Sequence, residues 1–299
     1  MIEQLFYSLT HRWYVTLFMM AFVGLSYLEQ GGKRTAIWLV SGYVIAWFAE
    51  WLSINYGLPF GWYVYHDDVL AKDLTIARVP VFDSISFAFL SYVSFSFAQY
   101  FFSPLLREGG DVQRVTSRRL RNSAGVLFLG AALMVVIDIV VDPVAHLGKH
   151  WFLGDIYHYL SPGVHFDVPL TNYAGWFIVG WAIIFLNQRV DAALAQRELA
   201  GDKPAKTRNL KLQGLYAPLF WTGIVVFQLG VTYAVAWGDD LSLETAERVR
   251  LQFLTGLFMV TPILLLTLVL LLKPSNRASR EMITSWLAEY PNPKFEQRN

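Results

Sequence analysis

Long apolar stretches alternate with short polar segments along most of the chain. A bilayer core of about 30 Å requires about 20 mostly apolar residues at 1.5 Å each. Seven stretches approach that length, over residues 13–28, 35–56, 81–103, 122–142, 173–188, 215–237 and 252–272. The pattern predicts an all-α polytopic integral membrane helix bundle of about seven transmembrane helices. Residues 1–272 would form one domain, and residues 273–299 a polar tail.

The Lys and Arg residues are distributed unequally between the two sides of this bundle. Of the 24, 6 lie in the N-terminus and in the loops after the second, fourth and sixth segments. The other 18 lie in the tail and in the loops after the first, third and fifth segments. Because cytoplasmic loops carry the excess of basic residues, we expect the N-terminus outside and the C-terminal tail in the cytoplasm.

The composition also indicates lipid as the solvent. The chain is 55% hydrophobic and only 16% charged, which is more apolar surface than one soluble core of this size would bury. A net charge of +1 gives no reason to expect a nucleic-acid partner. The lack of cysteine excludes disulfides and thiolate metal sites. We therefore expect an integral membrane protein. Its expected location is the bacterial inner (plasma) membrane.

Four carboxyl groups lie in apolar segments, where each costs about 2.5–3.5 kcal/mol at mid-membrane on insertion scales. Glu50 lies late in the second segment, Asp83 early in the third, and Asp138 and Asp142 late in the fourth. In the predicted topology all four are near the outer face. Each needs a partner or a function; the alternative is a wetted position among headgroups, paired with Lys149 or with backbone donors.

Asp138 and Asp142 are four residues apart, which places them on one side of an intact helix with Cβ atoms about 5–6 Å apart. Pro143 is expected to bias Asp142 away from helical geometry, so this spacing is approximate. Repulsion and poor solvation would leave one of the two protonated at neutral pH. A protonated carboxyl beside an ionised one can serve as a general acid with its conjugate partner.

Aromatic side chains accumulate at the same predicted face. Phe60, Trp62, Tyr63 and Tyr65 lie between the second and third segments, and Trp176 lies near the start of the fifth. Ring faces can line an apolar pocket and stabilise a cation. The alternative is an ordinary aromatic belt at the membrane interface. We expect these residues to bind substrate in a cavity between helices that reaches both lipid and water.

Histidines raise the question of a metal. His146 and His150 have the spacing of helical metal ligands, and His158 and His165 follow in the same loop. No HExxH motif and no repeated histidine box accompanies them, so we expect no metal and no other cofactor. GxGxxG, Walker A and GxSxG motifs are also missing, which leaves nucleotide, hydride and serine-hydrolase chemistry without support.

Several motifs follow one another over about residues 43–185. They are Glu50 with Gly57-Leu58-Pro59-Phe60-Gly61-Trp62-Tyr63-Val64-Tyr65, then Val79-Pro80, then Asp138-Ile139-Val140-Val141-Asp142-Pro143, then Val168-Pro169 with Asn172 and Gly175-Trp176. Together they resemble the carotenoid biosynthesis membrane protein family, which includes hydratases of the linear carotenoid 1,2-hydratase and bisanhydrobacterioruberin hydratase type. At the entry to the third helix those hydratases tend to have an apolar segment with a Trp, whereas this chain has Val81-Phe82-Asp83-Ser84-Ile85-Ser86-Phe87.

The resemblance implies acid-catalysed hydration of a terminal C=C of a linear, lycopene-type carotenoid through a tertiary carbocation, with no cofactor. Asp138 or Asp142 would be the acid, Glu50 or Asp83 its partner or the base, and Asn172 would polarise this network. The expected partners are a lipid-soluble carotenoid or isoprenoid substrate, membrane lipid and other carotenoid-pathway enzymes.

Three alternatives stay open. A carotenoid end-group cyclase or isomerase would use the same acid but lose a proton from the cation instead of adding water. A non-catalytic protein that binds lipid or carotenoid would need none of the carboxyl groups. A metal-dependent membrane hydrolase would use the histidines.

Overall fold

The bundle predicted from the apolar pattern is present. The computed structural model describes residues 1–150, 154–199, 210–238 and 241–290, without the side chains of residues 149 and 199. Within these ranges six helices are long and apolar enough to cross a membrane. The protein is therefore an all-α polytopic membrane helix bundle. The orientation of its termini stays a prediction.

The helices of the described residues are α1 Ile2–His11, α2 Trp13–Tyr56, α3 Val81–Phe102, α4 Arg118–Arg121, α5 Ala124–Ala145, α6 Leu170–Leu199, α7 Tyr216–Ala236, α8 Leu243–Leu272 and α9 Arg280–Glu289. The strands are β1 Tyr63–Tyr65, β2 Thr75–Ile76, β3 Val79–Pro80, β4 Leu105–Glu108, β5 Asp111–Arg114 and β6 Tyr157–Tyr159. The strands form three antiparallel pairs, β1 with β6, β2 with β3 and β4 with β5.

The long helix α2 contains a break at Gly31, whose backbone (φ 79, ψ 167) is a conformation that glycine alone adopts readily. Phe22 and Trp38, on either side of the break, would be about 24 Å apart on a straight helix. Both pack on Tyr92, with ring centroids 5.3 and 5.0 Å away. The chain therefore reverses direction between them, and α2 consists of two arms that match the first two predicted segments. The total of seven crossings stays a prediction.

The bundle has two ends that differ in their side chains. We call the end formed by Tyr56, Val81, Ala145 and Leu170 the carboxylate end, because the four predicted carboxyl groups lie near it. We call the opposite end, formed by Gly31, Phe102, Ala124 and Glu198, the arginine end. Since each arm of α2 runs from one end to the other, α1 lies at the carboxylate end.

A short antiparallel pair of strands, β1 and β6, closes the carboxylate end. The sequence analysis did not predict these strands. In its antiparallel register Tyr63 lies opposite Tyr159 and Tyr65 opposite Tyr157. Side chains two residues apart on a strand point to the same face, so the four tyrosines share one face. Ring centroids of neighbouring tyrosines are 5.3–6.3 Å apart. The strand pair therefore presents a row of phenol groups to the helices below it.

Both termini of the described chain are packed on the bundle. Near the start, Arg12 forms a buried ion pair with Asp73 at 2.9 Å, and Ser8 donates to the same carboxylate at 3.0 Å. Near the end, Trp286 and Leu287 of α9 pack on Val115 at the arginine end. The proposed division into one domain and a polar tail stays a prediction.

Candidate active site

The four carboxyl groups come from three helices and meet at the carboxylate end. Glu50 is on the second arm of α2, Asp83 in the first turn of α3, and Asp138 and Asp142 near the end of α5. Glu50, Asp138 and Asp142 are buried, and Asp83 is partly buried. Their placement at one end follows from the directions of the helices, as the sequence predicts.

Tyr65 links the carboxyl groups of the first two helices. Its hydroxyl donates to Asp83 Oδ2 at 2.6 Å and lies 3.3 Å from Glu50 Oε2. Ser84 Oγ donates to that same Glu50 oxygen at 2.9 Å. The other oxygen, Glu50 Oε1, is buried and has no hydrogen-bond partner among the described residues. Burial, and then the charges of Asp83 and Glu50, raise the pKa of Tyr65, so its hydroxyl keeps its proton at neutral pH.

Asn172, in the first turn of α6, links the other two carboxyl groups. Its buried side-chain nitrogen donates to Asp138 Oδ2 at 2.7 Å and to Asp142 Oδ2 at 2.9 Å. Helix α5 continues through Pro143 to Ala145, so the expected departure of Asp142 from helical geometry was wrong. Pro143 removes one backbone donor in the last turn of α5, and Asn172 holds both carboxyl groups on one face.

Asp142 accepts two further hydrogen bonds, from tyrosines that sequence reasoning missed. Tyr159 OH donates to Oδ2 at 2.8 Å, and Tyr157 OH donates to Oδ1. Burial, and then the charges of Asp142 and Asp138, raise the pKa of Tyr159, which stays a donor. A usable signal was present in the sequence, because Tyr63-Val64-Tyr65 and Tyr157-His158-Tyr159 share the two-residue period of a strand.

The four carboxyl groups form no salt bridge among the described residues. Arg12 is paired with Asp73. The alternative partner Lys149 has its side chain outside the described residues. Buried carboxyl groups that form no ion pair keep their total charge low by holding protons.

Two cavities meet at the carboxyl groups. The first, which we call the apolar cavity, spans ≈ 830 Å³ including its opening and lies between α2, α3, α5, α6 and α7; its polar lining includes Asp83, Asp138 and Asp142. The second, which we call the polar cavity, spans ≈ 350 Å³ including its opening and is lined by Glu50, Phe60, Tyr63, Tyr65, Asp83, Phe87, Asp142, Tyr157, Tyr159, Asn172 and Trp176. Asp83, Asp142, Tyr157 and Trp176 line both. The carboxyl groups therefore lie between an apolar space and a polar one.

Four of the five aromatic residues predicted to bind substrate line the polar cavity, namely Phe60, Tyr63, Tyr65 and Trp176. Trp176 also stacks on Phe87, with ring centroids 4.4 Å apart. The fifth, Trp62, is 51% exposed and lines neither cavity. It precedes Tyr63 in an extended segment, so its side chain points to the opposite face. The structure thus brings together every predicted site residue except Trp62.

The histidines do not form a cluster of metal ligands. Among the described residues no group of three or more His, Asp or Glu side chains is arranged to hold a metal ion. His146 lies instead beside Tyr157 and Tyr159, with ring centroids 5.2 Å from each. Burial lowers the pKa of His146 to about 4, so its imidazole is neutral at physiological pH.

The fold and this site together define a class: a polytopic helical membrane protein with buried, hydrogen-bonded carboxyl groups beside a cavity suited to an apolar molecule. A family model described as "Carotenoid biosynthesis protein" matches residues 11–243. The chain belongs to this family, and its role is in carotenoid biosynthesis. The match includes every helix that lines the two cavities. Searches of curated proteins and of solved structures gave no match.

Proposed function

We propose that this protein is a cofactor-free hydratase that adds water to a terminal C=C of a linear, lycopene-type carotenoid. The observation that carries the proposal is the position of Asp138. Its carboxyl group is buried, is held by Asn172 and lines the apolar cavity, where a polyene end would lie. Hydration of an isoprenoid double bond needs an acid, a site that tolerates a carbocation, and water.

The different hydrogen bonding of the two neighbouring aspartates supports separate roles. Asp142 accepts from Asn172, Tyr157 and Tyr159, and three donated hydrogen bonds stabilise a carboxylate. Asp138 accepts only from Asn172 among the described side chains, through Oδ2, which leaves Oδ1 to carry a proton. Asp138 is therefore the general acid, and Asp142 is the ionised partner beside it.

The reaction proceeds with atoms and charges in balance. The Asp138 carboxyl proton is transferred to the less substituted carbon of the terminal double bond, whose π electrons form the new C–H bond. The neighbouring carbon becomes a tertiary cation, and a water oxygen forms the C–O bond there. The proton released from that water returns to an aspartate carboxylate. The product is a tertiary alcohol, and the acid is regenerated without a redox step.

The surroundings of the acid suit a cation and a source of water. The ring of Trp176 borders both cavities, and Phe82 and Phe89 line the apolar cavity, so aromatic faces are available to a positive charge. The polar cavity adjoins the reacting groups and offers the oxygens of Glu50 and Asp83, the proposed polar partners in the network. This arrangement supplies both an apolar site for the polyene and polar groups for water.

The nearest competing function is an end-group cyclase or isomerase, which would use the same acid. In that case the cation would lose a proton and the product would keep the substrate's mass. The adjoining polar cavity favours hydration, because water has hydrogen-bonding partners within reach of the cation.

Expression in cells that accumulate lycopene tests the proposal. The native chain should convert the pigment to a product heavier by one water, detected by liquid chromatography with mass spectrometry. Asp138→Asn should reduce this product about 100-fold or more, the usual range for a lost general acid. Asp68→Asn, at an exposed aspartate of the same end, is the matched control and should retain full conversion.

Three outcomes would contradict the proposal. Unchanged pigment with native protein present in the membrane would indicate a binding protein or a different substrate class. A product of unchanged mass would indicate a cyclase or isomerase. Equal conversion by Asp138→Asn and the native chain would remove Asp138 from the reaction.

A further inference from the structure

Helix α7 contributes one polar amide to the apolar cavity. Of the three α7 residues that line this cavity, Ile224 and Phe227 are apolar and the third is Gln228. The Gln228 side chain is buried, at 4% exposure, and its amide nitrogen has no hydrogen-bond partner among the described residues. The proposed proton transfer does not use this residue, so its presence in the lining needs another explanation.

Packing of the helix does not account for Gln228. Thr232, one turn later, donates to the backbone carbonyl of Gln228 at 2.9 Å, and this contact does not involve the side-chain amide nitrogen. Elsewhere in the bundle a buried glutamine uses its amide nitrogen: Gln188 Nε2 donates to the carbonyls of Arg121 and Ser123 at 3.0 and 3.2 Å. A buried amide without a partner is uncommon and costs free energy, so a partner from outside the chain is indicated.

The position of Gln228 limits what that partner can be. It shares the apolar cavity with Asp83 of α3 and Asp138 of α5, and α7 packs against both of these helices. Helix α7 itself carries no Asp, Glu, Lys or Arg. A neutral amide offers one oxygen acceptor and two N–H donors, and it neither supplies nor removes a proton at neutral pH. A water molecule needs two to four polar partners, which the amide and a facing carboxyl group would provide.

We propose that Gln228 binds the water that adds to the carotenoid cation. This inference rests on the proposed hydratase function and assigns a water-binding position to it. The bound water forms the C–O bond with the tertiary carbon, and its released proton passes to the aspartate carboxylate that protonated the double bond. Gln228 exchanges no proton. It is a positioning residue, which takes one water from the adjoining polar cavity and holds it beside the double bond in the apolar cavity before the cation forms.

Loss of Gln228 should change the ratio of the two products more than it changes the amount of lycopene consumed. Without a bound water the cation still forms at Asp138, but it loses a proton instead and gives an isomer of unchanged mass. Gln228→Met keeps the length of the side chain and removes the amide. The ratio of hydrated product to isomer should fall about tenfold, the usual effect of one lost hydrogen bond, while lycopene consumption falls less.

A matched control separates this effect from general disturbance of the bundle. Ser94 of α3 is also fully buried with an unpartnered hydroxyl, but it does not line the apolar cavity. Ser94→Ala should keep the native product ratio. If the Met variant does not accumulate in the membrane, Gln228→Asn replaces it, because the shortened amide should also lower the ratio.

The outcomes distinguish the two proposals. If the native chain hydrates lycopene and the Gln228 variant keeps the native product ratio, the water-binding assignment is wrong and the hydratase function stands. An equal drop in the Ser94→Ala ratio would also overturn the assignment. If the native chain yields no hydrated product, the hydratase function and the assignment fail together.

Discussion

The two ends of the bundle both bury acidic side chains but surround them differently. At the arginine end the acidic groups are matched by guanidinium groups, in the ion pairs Arg34–Asp191, Arg34–Glu198, Arg114–Glu29, Arg118–Glu198 and Arg121–Asp191. At the carboxylate end Glu50, Asp83, Asp138 and Asp142 are bonded by hydroxyl groups and an amide, with no described basic partner.

The arginine end shows how this chain treats charge that is structural. Arg34 Nε lies 2.6 Å from Asp191, and its Nη1 lies 2.7 Å from Glu198, so one side chain of α2 is fixed to two turns of α6. Asn122 donates to Asp191 at 3.0 Å. Paired in this way, the charges are satisfied and stay fixed in the folded state.

The contrast explains why the carboxylate end suits chemistry. A carboxyl group bonded by neutral donors can change its protonation without leaving an opposite charge buried and unpaired. A carboxylate between two arginines cannot do so at a similar cost. Charge at one end therefore holds helices together, and the unpaired carboxyl groups at the other end are available for proton transfer.

The largest expected effect comes from removing the ionised partner of the proposed acid. Asp142→Asn keeps the size of the side chain but loses the negative charge that Tyr157, Tyr159 and Asn172 stabilise. Lycopene hydration should fall about 100-fold or more, with the amount of folded protein in the membrane nearly unchanged. Pigment mass and membrane abundance, measured on the same cells, check both parts. Full hydration by this variant would show that the reaction does not need the Asp142 carboxylate. It would contradict the proposed difference between the carboxylate end and the arginine end.

The matching change at the arginine end should affect stability instead of product. Asp191→Asn leaves Arg121 and Arg34 with a weakened partner in a buried site. The free energy of unfolding in detergent should fall by about 3 kcal/mol, as for a broken buried ion pair. Hydration per folded molecule should equal that of the native chain. A loss of activity without a loss of stability would show that the arginine end also takes part in the reaction.

The smallest effect at neutral pH is expected at the neutral histidine beside the site, whose influence appears only as the pH falls. The pKa of His146 is about 4 in the folded protein and 6.5 in the unfolded chain, so the unfolded chain binds its proton first as the pH falls. His146 therefore contributes to a loss of stability between pH 6.5 and 4, with a slope of at most about 1.4 kcal/mol per pH unit. His146→Phe keeps the ring contacts and should flatten the decline in unfolding free energy over that range. Equal slopes in the two proteins would contradict the neutral state of the partly buried His146 imidazole.

Much of the fold was predictable because lipid imposes strict demands on a sequence. Each spanning segment must satisfy its own backbone hydrogen bonds and present apolar side chains, so helices α3, α5 and α7 were expected within a few residues of their observed bounds. The same alternation of direction predicted that Glu50, Asp83 and Asp138 would share one end. The family resemblance drawn from the motifs was confirmed by the match over residues 11–243.

Other features depended on contacts between segments far apart in sequence. The strand pair β1 and β6 joins residues more than ninety positions apart, so neither the Tyr63–Tyr159 register nor the hydrogen bonds to Asp142 could be seen in local periodicity. The aromatic composition near Trp62 gave no indication of which rings face the cavities, because that depends on the extended backbone at this point.

The sequence by itself determined that this chain is a helical membrane bundle of the carotenoid biosynthesis family with carboxyl groups gathered at one end. Apolar length and the distribution of charge are local properties, and lipid allows few structures that satisfy them. Only the tertiary structure decided that Asn172 joins Asp138 to Asp142, that two tyrosines of β6 complete the site, and that Gln228 faces the apolar cavity. These contacts depend on the rotation and depth of each packed helix, which hydropathy does not encode.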